Sequence, residues 1–133
     1  MQQNMGVVRG LYEAFGRGDG AAVLAGMDPG IEWNEAENFP YADGNPYIGP
    51  MAVAGGVFQR IGEDWEFWSL DIEHMLDAGE NVVVLGRYKS QHKRTGAPLD
   101  CQFAHIWWLR DGKVVRFQQY ADTAQARGAC GLT

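Results

Sequence analysis

Cysteine is scarce in this chain. Cys101 and Cys130 are the only two, and they make neither a disulfide framework nor a metal-ligand pattern. Both are expected reduced, Cys101 as a small buried apolar residue and Cys130 in a loose tail. Basic residues are outnumbered: eleven Lys and Arg against seventeen Asp and Glu give a net charge of −6, which argues against a nucleic-acid surface. No apolar run approaches the ~20 residues of a spanning helix. The N-terminus has no signal-peptide core, so no membrane partner is expected and cytoplasm is the default compartment. The three histidines, His74, His92 and His105, lack ligand-like spacing, and no metal site is expected. Repeats, linkers and low-complexity segments are absent. The 133 residues read as one domain, 1–133, with its core at about 5–125.

Aromatic residues, in contrast, are plentiful, with five Trp, five Tyr and six Phe. They concentrate between Cys101 and Asp122, where two runs of aromatic and β-branched residues flank Asp111-Gly112, a hairpin signal. Strand alternation puts Phe103, His105 and Trp107 on one face and Ala104, Ile106 and Trp108 on the other. Neither face suits water. A type I′ loop would set His105 opposite Gln118. A type I turn with Gly112 as a left-handed bulge would set it opposite Phe117 and diagonal to Gln119. Both registers are open to the sequence. The bulged one, taken here, gathers Phe103, His105, Trp107, Phe117 and Gln119 on one face and leaves Arg116, Gln118 and Tyr120 on the other.

Helical spacing of Met5, Val8, Tyr12 and Phe15 predicts a helix over 4–16. Gly16-Arg-Gly-Asp-Gly20 follows a helix rather than a strand, so it reads as a helix–helix turn, not a phosphate loop. Asp19 caps a short helix running through Met27. Residues 31–36 read as a strand. Residues 37–49 form a loop rich in turn formers and rings, expected to fold over something as a lid or at a subunit contact. Pro50 opens a helix with a stripe of Ala54, Val57, Phe58 and Ile61. From Glu66 the pattern turns to alternation, with Leu70, Ile72, His74 and Leu76 sharing a face. A strand over 81–91 follows, with Val82, Val84, Gly86 and Tyr88 on one side. Asp122 reads as the cap of a last short helix or, alternatively, as a pocket acid. Three helices around one strand, then four strands in meander, give an α+β architecture: a curved antiparallel sheet wrapped around N-terminal helices into a cone.

With these residues placed, the chain resembles the SnoaL-like polyketide cyclases and ketosteroid-isomerase-related proteins of the nuclear transport factor 2-like superfold. The likeness rests on the helix ending in Gly18-Asp19, on Ile31-Glu-Trp33, on Tyr47-Ile-Gly-Pro50, and on Phe103-Ala-His-Ile-Trp107 through Arg110-Asp-Gly-Lys113 to Tyr120-Ala-Asp-Thr-Ala124. It implies a conical pocket, usually in a homodimer, and favours the bulged register. Enzymes of this fold use a pocket carboxylate to move a proton beside a carbonyl, without metal or cofactor, so no cofactor is expected. By position, Glu35 falls near the isomerase's base and His105 near its acid donor. Tyr12 lies one position from its oxyanion tyrosine, about 100° around a helix. The cyclase carboxylate falls near Gln119, which cannot take a proton at neutral pH.

Two readings therefore stand. In the first, Glu35 and His105 are catalytic in cofactor-independent isomerisation or cyclisation of a small hydrophobic or aromatic carbonyl compound. Tyr12, Trp33, Tyr41, Tyr88, Phe103, Trp107, Phe117 and Gln119 then bind the ligand. In the second, the domain binds a small ligand or dimerises without catalysis, the same rings fill a core, His105 is a bonded core histidine and Glu35 a solvated strand-end carboxylate. Ile106, Trp108 and Tyr120, facing outward, suit a homodimer contact. Epoxide hydrolysis, also found on this fold, wants two carboxylates around a deep arginine, and the sequence offers no such trio.

Overall fold

A computed structural model describes residues 2–132. The first helix, α1, runs Gln2–Gly16, and its buried face carries Val8, Leu11 and Ala14. Asp19 caps α2, Gly20–Ala25, by accepting the Ala22 N–H at 3.1 Å. This helix is shorter than the spacing predicts. Met27 already opens strand β1, Met27–Asn34, which starts earlier and stops sooner than expected, its Asp28–Gly30 stretch looping out of register.

The aromatic loop then folds inward over the core. Phe39, Tyr41 and Tyr47 are all buried, as a lid over the interior would be. Short strand β2, Tyr47–Ile48, leads into α3, Pro50–Val53. A π-wound turn, Ala54–Phe58, joins α3 to α4, Gln59–Asp64. Gly56 is required there: a Cβ would sit 2.1 Å from the Tyr47 ring. Val53 and Val57 are the fully buried members of this helical run; Ala54, Phe58 and Ile61 are half-buried.

Four strands complete the chain: β3, Trp65–Ala78; β4, Asn81–His92; β5, Pro98–Arg110; and β6, Lys113–Ala121. The sheet order is β2-β1-β6-β5-β4-β3. All pairs are antiparallel except β1 with β6. Helix α5, Thr123–Ala129, closes the chain, with Asp122 accepting the Gln125 N–H at 3.1 Å. Asp122 is thus the cap. Cys130 is buried at the end of this helix rather than lying in a loose tail, and both cysteines are free.

Two bulges correct the alternation read from sequence. Ile72 pairs with Gly86 and His74 with Leu85, so Glu73 is an extra residue. Beyond it Met75 turns inward, while His74 and Leu76 are exposed. In the β5–β6 hairpin the loop is the two-residue form, with φ of 52° at Asp111 and 75° at Gly112. The bulge lies within β6, at Val115, between the pairs Leu109–Val114 and Trp108–Arg116. His105 consequently faces Gln119, and Trp107 faces Phe117. Neither register drawn from the turn alone has this pairing. The face assignment nevertheless matches the expected one, because Phe117 and Gln119 are two residues apart and share a face whichever of them stands opposite His105.

Candidate functional site

The concave face of the sheet, α1, α2 and the π-wound turn enclose a cavity with about 60 Å³ accessible to water. Eight of the ten residues expected at a site line it: Tyr12, Trp33, Glu35, Tyr88, His105, Trp107, Phe117 and Gln119. Two do not. Phe103 lies behind the lining, stacked on the His105 ring at 4.1 Å between centroids. Tyr41 turns away, donating its hydroxyl to Asp64 Oδ2 at 2.6 Å and accepting Trp65 Nε1–H at 3.1 Å. Those bonds fasten the loop to α4 and β3.

His105 sits between two phenols. Its Nδ1 is 2.6 Å from Tyr12 Oη, and its Nε2 is 2.6 Å from Tyr88 Oη. Trp107 Nε1–H donates to Tyr12 Oη at 2.9 Å. Gln119 Nε2–H donates to Tyr88 Oη at 2.8 Å. The Gln119 amide cannot be reversed, because its Oε1 accepts the backbone N–H of Ala36 at 3.0 Å. Burial disfavours the charged ring and drops the His105 pKa to about 3, so the imidazole is neutral near pH 7. Burial likewise raises both tyrosines, so both phenols keep their protons.

Glu35 follows the last residue of β1 and is 4% exposed, not solvated. Desolvation raises its pKa to about 7, outweighing the Trp33 Nε1–H bond to Oε2 at 3.0 Å and the field of Arg60. Its backbone is latched by Asn45, whose Oδ1 accepts the Glu35 N–H at 2.9 Å and whose Nδ2 donates to the Glu35 carbonyl at 2.8 Å. Trp33 stacks on Phe117 at 3.7 Å, which closes the floor beside the carboxyl.

The arrangement thus sets one carboxyl that can exchange a proton near neutrality, and two phenol hydroxyls, in an apolar chamber. Tyr12, Phe15, Trp68 and Leu70 line both this chamber and an outer groove between α1 and β3. Sequence reasoning passed over Phe15 and Trp68 as lining, although each shared helical or strand spacing with residues already placed inside. It also passed over Asn45, which left no pattern beyond a turn former before Pro46. Among the described residues no cluster of His, Cys, Asp and Glu is arranged to hold a metal ion.

The family model for the SnoaL-like domain matches residues 8–117. An NTF2-like protein from Burkholderia thailandensis E264 is 35% identical, with 98% of each chain covered and a TM-score of 0.92. An NTF2-like protein of unknown function from Burkholderia pseudomallei K96243 is 29% identical, covering 97% of this chain and 98% of its own, with a TM-score of 0.88. TerC, co-crystallised with polyporic acid, is 25% identical over 97% of this chain and 98% of its own, with a TM-score of 0.86. No curated protein sequence matches the chain.

Proposed function

The chain belongs to the SnoaL-like domain family, and on that footing we propose that its cavity binds a small aromatic carbonyl compound and moves a proton beside the carbonyl. One observation carries this reading: a buried carboxyl with its pKa raised to about 7 shares an apolar chamber with two phenol hydroxyls. Glu35 takes the proton from the carbon next to the carbonyl, and a tyrosine hydroxyl holds the oxygen as charge develops on it. His105, neutral and bonded on both ring nitrogens, acts through the tyrosines rather than as a free acid. The similarity to TerC, co-crystallised with polyporic acid, supports an aromatic oxygen-bearing ligand, and the 60 Å³ chamber favours a small one. Entry is through the seam between α1 and β3, where Tyr12, Phe15, Trp68 and Leu70 face both chamber and groove.

2-Indanone is a suitable probe. The wild type is expected to speed deuterium uptake at its α-carbons in D2O, followed by proton NMR. Glu35→Gln should lower the enzyme-dependent rate by about 10²–10⁴-fold. Uptake no faster than in buffer, or an undiminished rate in Glu35→Gln, would contradict the assignment.

A second reading, ligand binding without turnover, is favoured by Gln119. It stands near the cyclase carboxylate position, and both its polar atoms are already engaged within the chain. Quenching of tryptophan fluorescence by 2-indanone with no deuterium uptake is the outcome it expects. We also propose a homodimer through the outer sheet face, where Tyr120 is exposed beside half-buried Ile106 and Trp108. Sedimentation at a monomer mass across micromolar concentrations would refute it.

A further inference from the structure

The hydrogen count of the phenol–imidazole row does not come out even. Trp107, Tyr12, His105, Tyr88 and Gln119 are joined by four hydrogen bonds. With the ring neutral, they bring five hydrogens: one indole N–H, two phenol O–H, one imidazole N–H and the Gln119 N–H aimed at Tyr88. Trp107 and Gln119 can only donate at the two ends, since Gln119 is oriented by Ala36. One phenol hydrogen is therefore always left over.

Its position depends on the imidazole tautomer. With the hydrogen on Nε2, Tyr12 donates to Nδ1, the ring donates to Tyr88, and the Tyr88 hydroxyl hydrogen is free. With the hydrogen on Nδ1, every central bond reverses and the Tyr12 hydroxyl hydrogen is free. All four bonds are kept in both states. Both phenols line the cavity, and a ligand is served where the spare donor turns to that space, at one end of the row or at the other.

We propose that Tyr12, His105 and Tyr88 form a two-ended proton relay, serving a ligand with two oxygen functions, a carbonyl and an enolic or phenolic hydroxyl. In one passage the Tyr88 O–H proton goes to the ligand carbonyl oxygen. The Nε2 proton moves to Tyr88 Oη, the Tyr12 proton moves to Nδ1, and the ligand hydroxyl gives its proton to Tyr12 Oη. Each O–H or N–H bond broken is matched by one formed, and the ligand has exchanged keto and enol oxygens. The row ends in the opposite tautomer with the same number of hydrogens, and the reverse passage restores it. The ring carries no net charge before or after, consistent with a site whose burial disfavours imidazolium. A ligand with one oxygen would engage only one end. The relay deepens the proton-transfer reading above and rests on it for its ligand class, but the row itself can be tested without a ligand.

The test is the tautomer of His105, read by 15N NMR of the two ring nitrogens in the ligand-free full chain. In the wild type both nitrogens are expected at averaged, intermediate shifts, because both tautomers are populated and exchange. Tyr12→Phe removes the partner of Nδ1. A buried unpaired acceptor is tolerated better than a buried unpaired donor, so this variant should lock the hydrogen on Nε2. Tyr88→Phe should lock it on Nδ1. One fixed tautomer in the wild type, a doubly protonated ring at neutral pH, or the same tautomer in both variants would overturn the relay. If either variant does not fold, the wild-type spectrum alone decides. None of these outcomes bears on whether Glu35 exchanges α-protons of 2-indanone, so the relay and the proposed reaction fail separately.

Discussion

Single residues here are read by where their polar ends go. The sequence shows a ring; it does not show which partner its hydroxyl or N–H will meet. Tyr41 and Tyr88 look alike as aromatic candidates, yet Tyr41 spends its hydroxyl on Asp64, 23 residues away, and Tyr88 spends its own on His105. His105 was legible as a titratable ring among large apolar neighbours, whereas Glu35, with Glu32 and Glu37 close by in the chain, was picked out only by the resemblance. Asn45 was not, because a side chain that binds only backbone leaves no periodic trace. Asn45→Ala removes both bonds that hold the backbone of Glu35. It is expected to cost about 1–2 kcal/mol in urea unfolding, as for two partly exposed hydrogen bonds. A midpoint equal to wild type would mean the strand end is held elsewhere.

At the level of elements, periodicity located nearly every helix and strand, and missed what interrupts it. The inward face of β5 follows from simple alternation. On β6 the buried positions are Val114, Phe117 and Gln119, a step of three and then two, which only the bulge at Val115 reconciles. No residue type marks that site, since Val-Val is ordinary strand sequence. The bulge also makes a distinguishing prediction. Deleting Val115 leaves the Asp111-Gly112 turn and the His105–Gln119 pair in register, because it removes only the unpaired residue. Deleting Gln118 instead turns Gln119 to the outer face and His105 loses its paired neighbour. The first variant should retain a cooperative thermal transition with near-ultraviolet circular dichroism like wild type, and the second should not. Equal behaviour of the two would contradict the pairing.

For the whole molecule, the cone was legible from element order and from the resemblance, whereas the closing pair was not. Strand β1 joins the meander parallel to β6, which places Glu35 and Ala36 beside Gln119. That long-range pairing turns separate aromatic runs into one chamber dry enough to hold a carboxyl protonated. The same dryness must appear in the stability of the chain. Below the ordinary carboxyl value of 4.5, Glu35 is protonated folded and unfolded. Between 4.5 and about 7 the unfolded chain has ionised and the folded one has not, so folding weakens as pH rises. Above about 7 the full cost stands, about 3 kcal/mol at ~1.4 kcal/mol per pH unit. His105 works the other way, its contribution being lost as pH falls from 6.5 towards 3, and it is common to wild type and variant. Glu35→Gln keeps the shape of the protonated acid and cannot ionise. The most direct measurement is therefore the unfolding free energy of wild type and Glu35→Gln, by urea, from pH 4.5 to 7.5. The variant is expected to gain on wild type by about 3 kcal/mol across that window. A difference that stays constant with pH would mean that Glu35 ionises as it does in water, and that the chamber does not hold its proton.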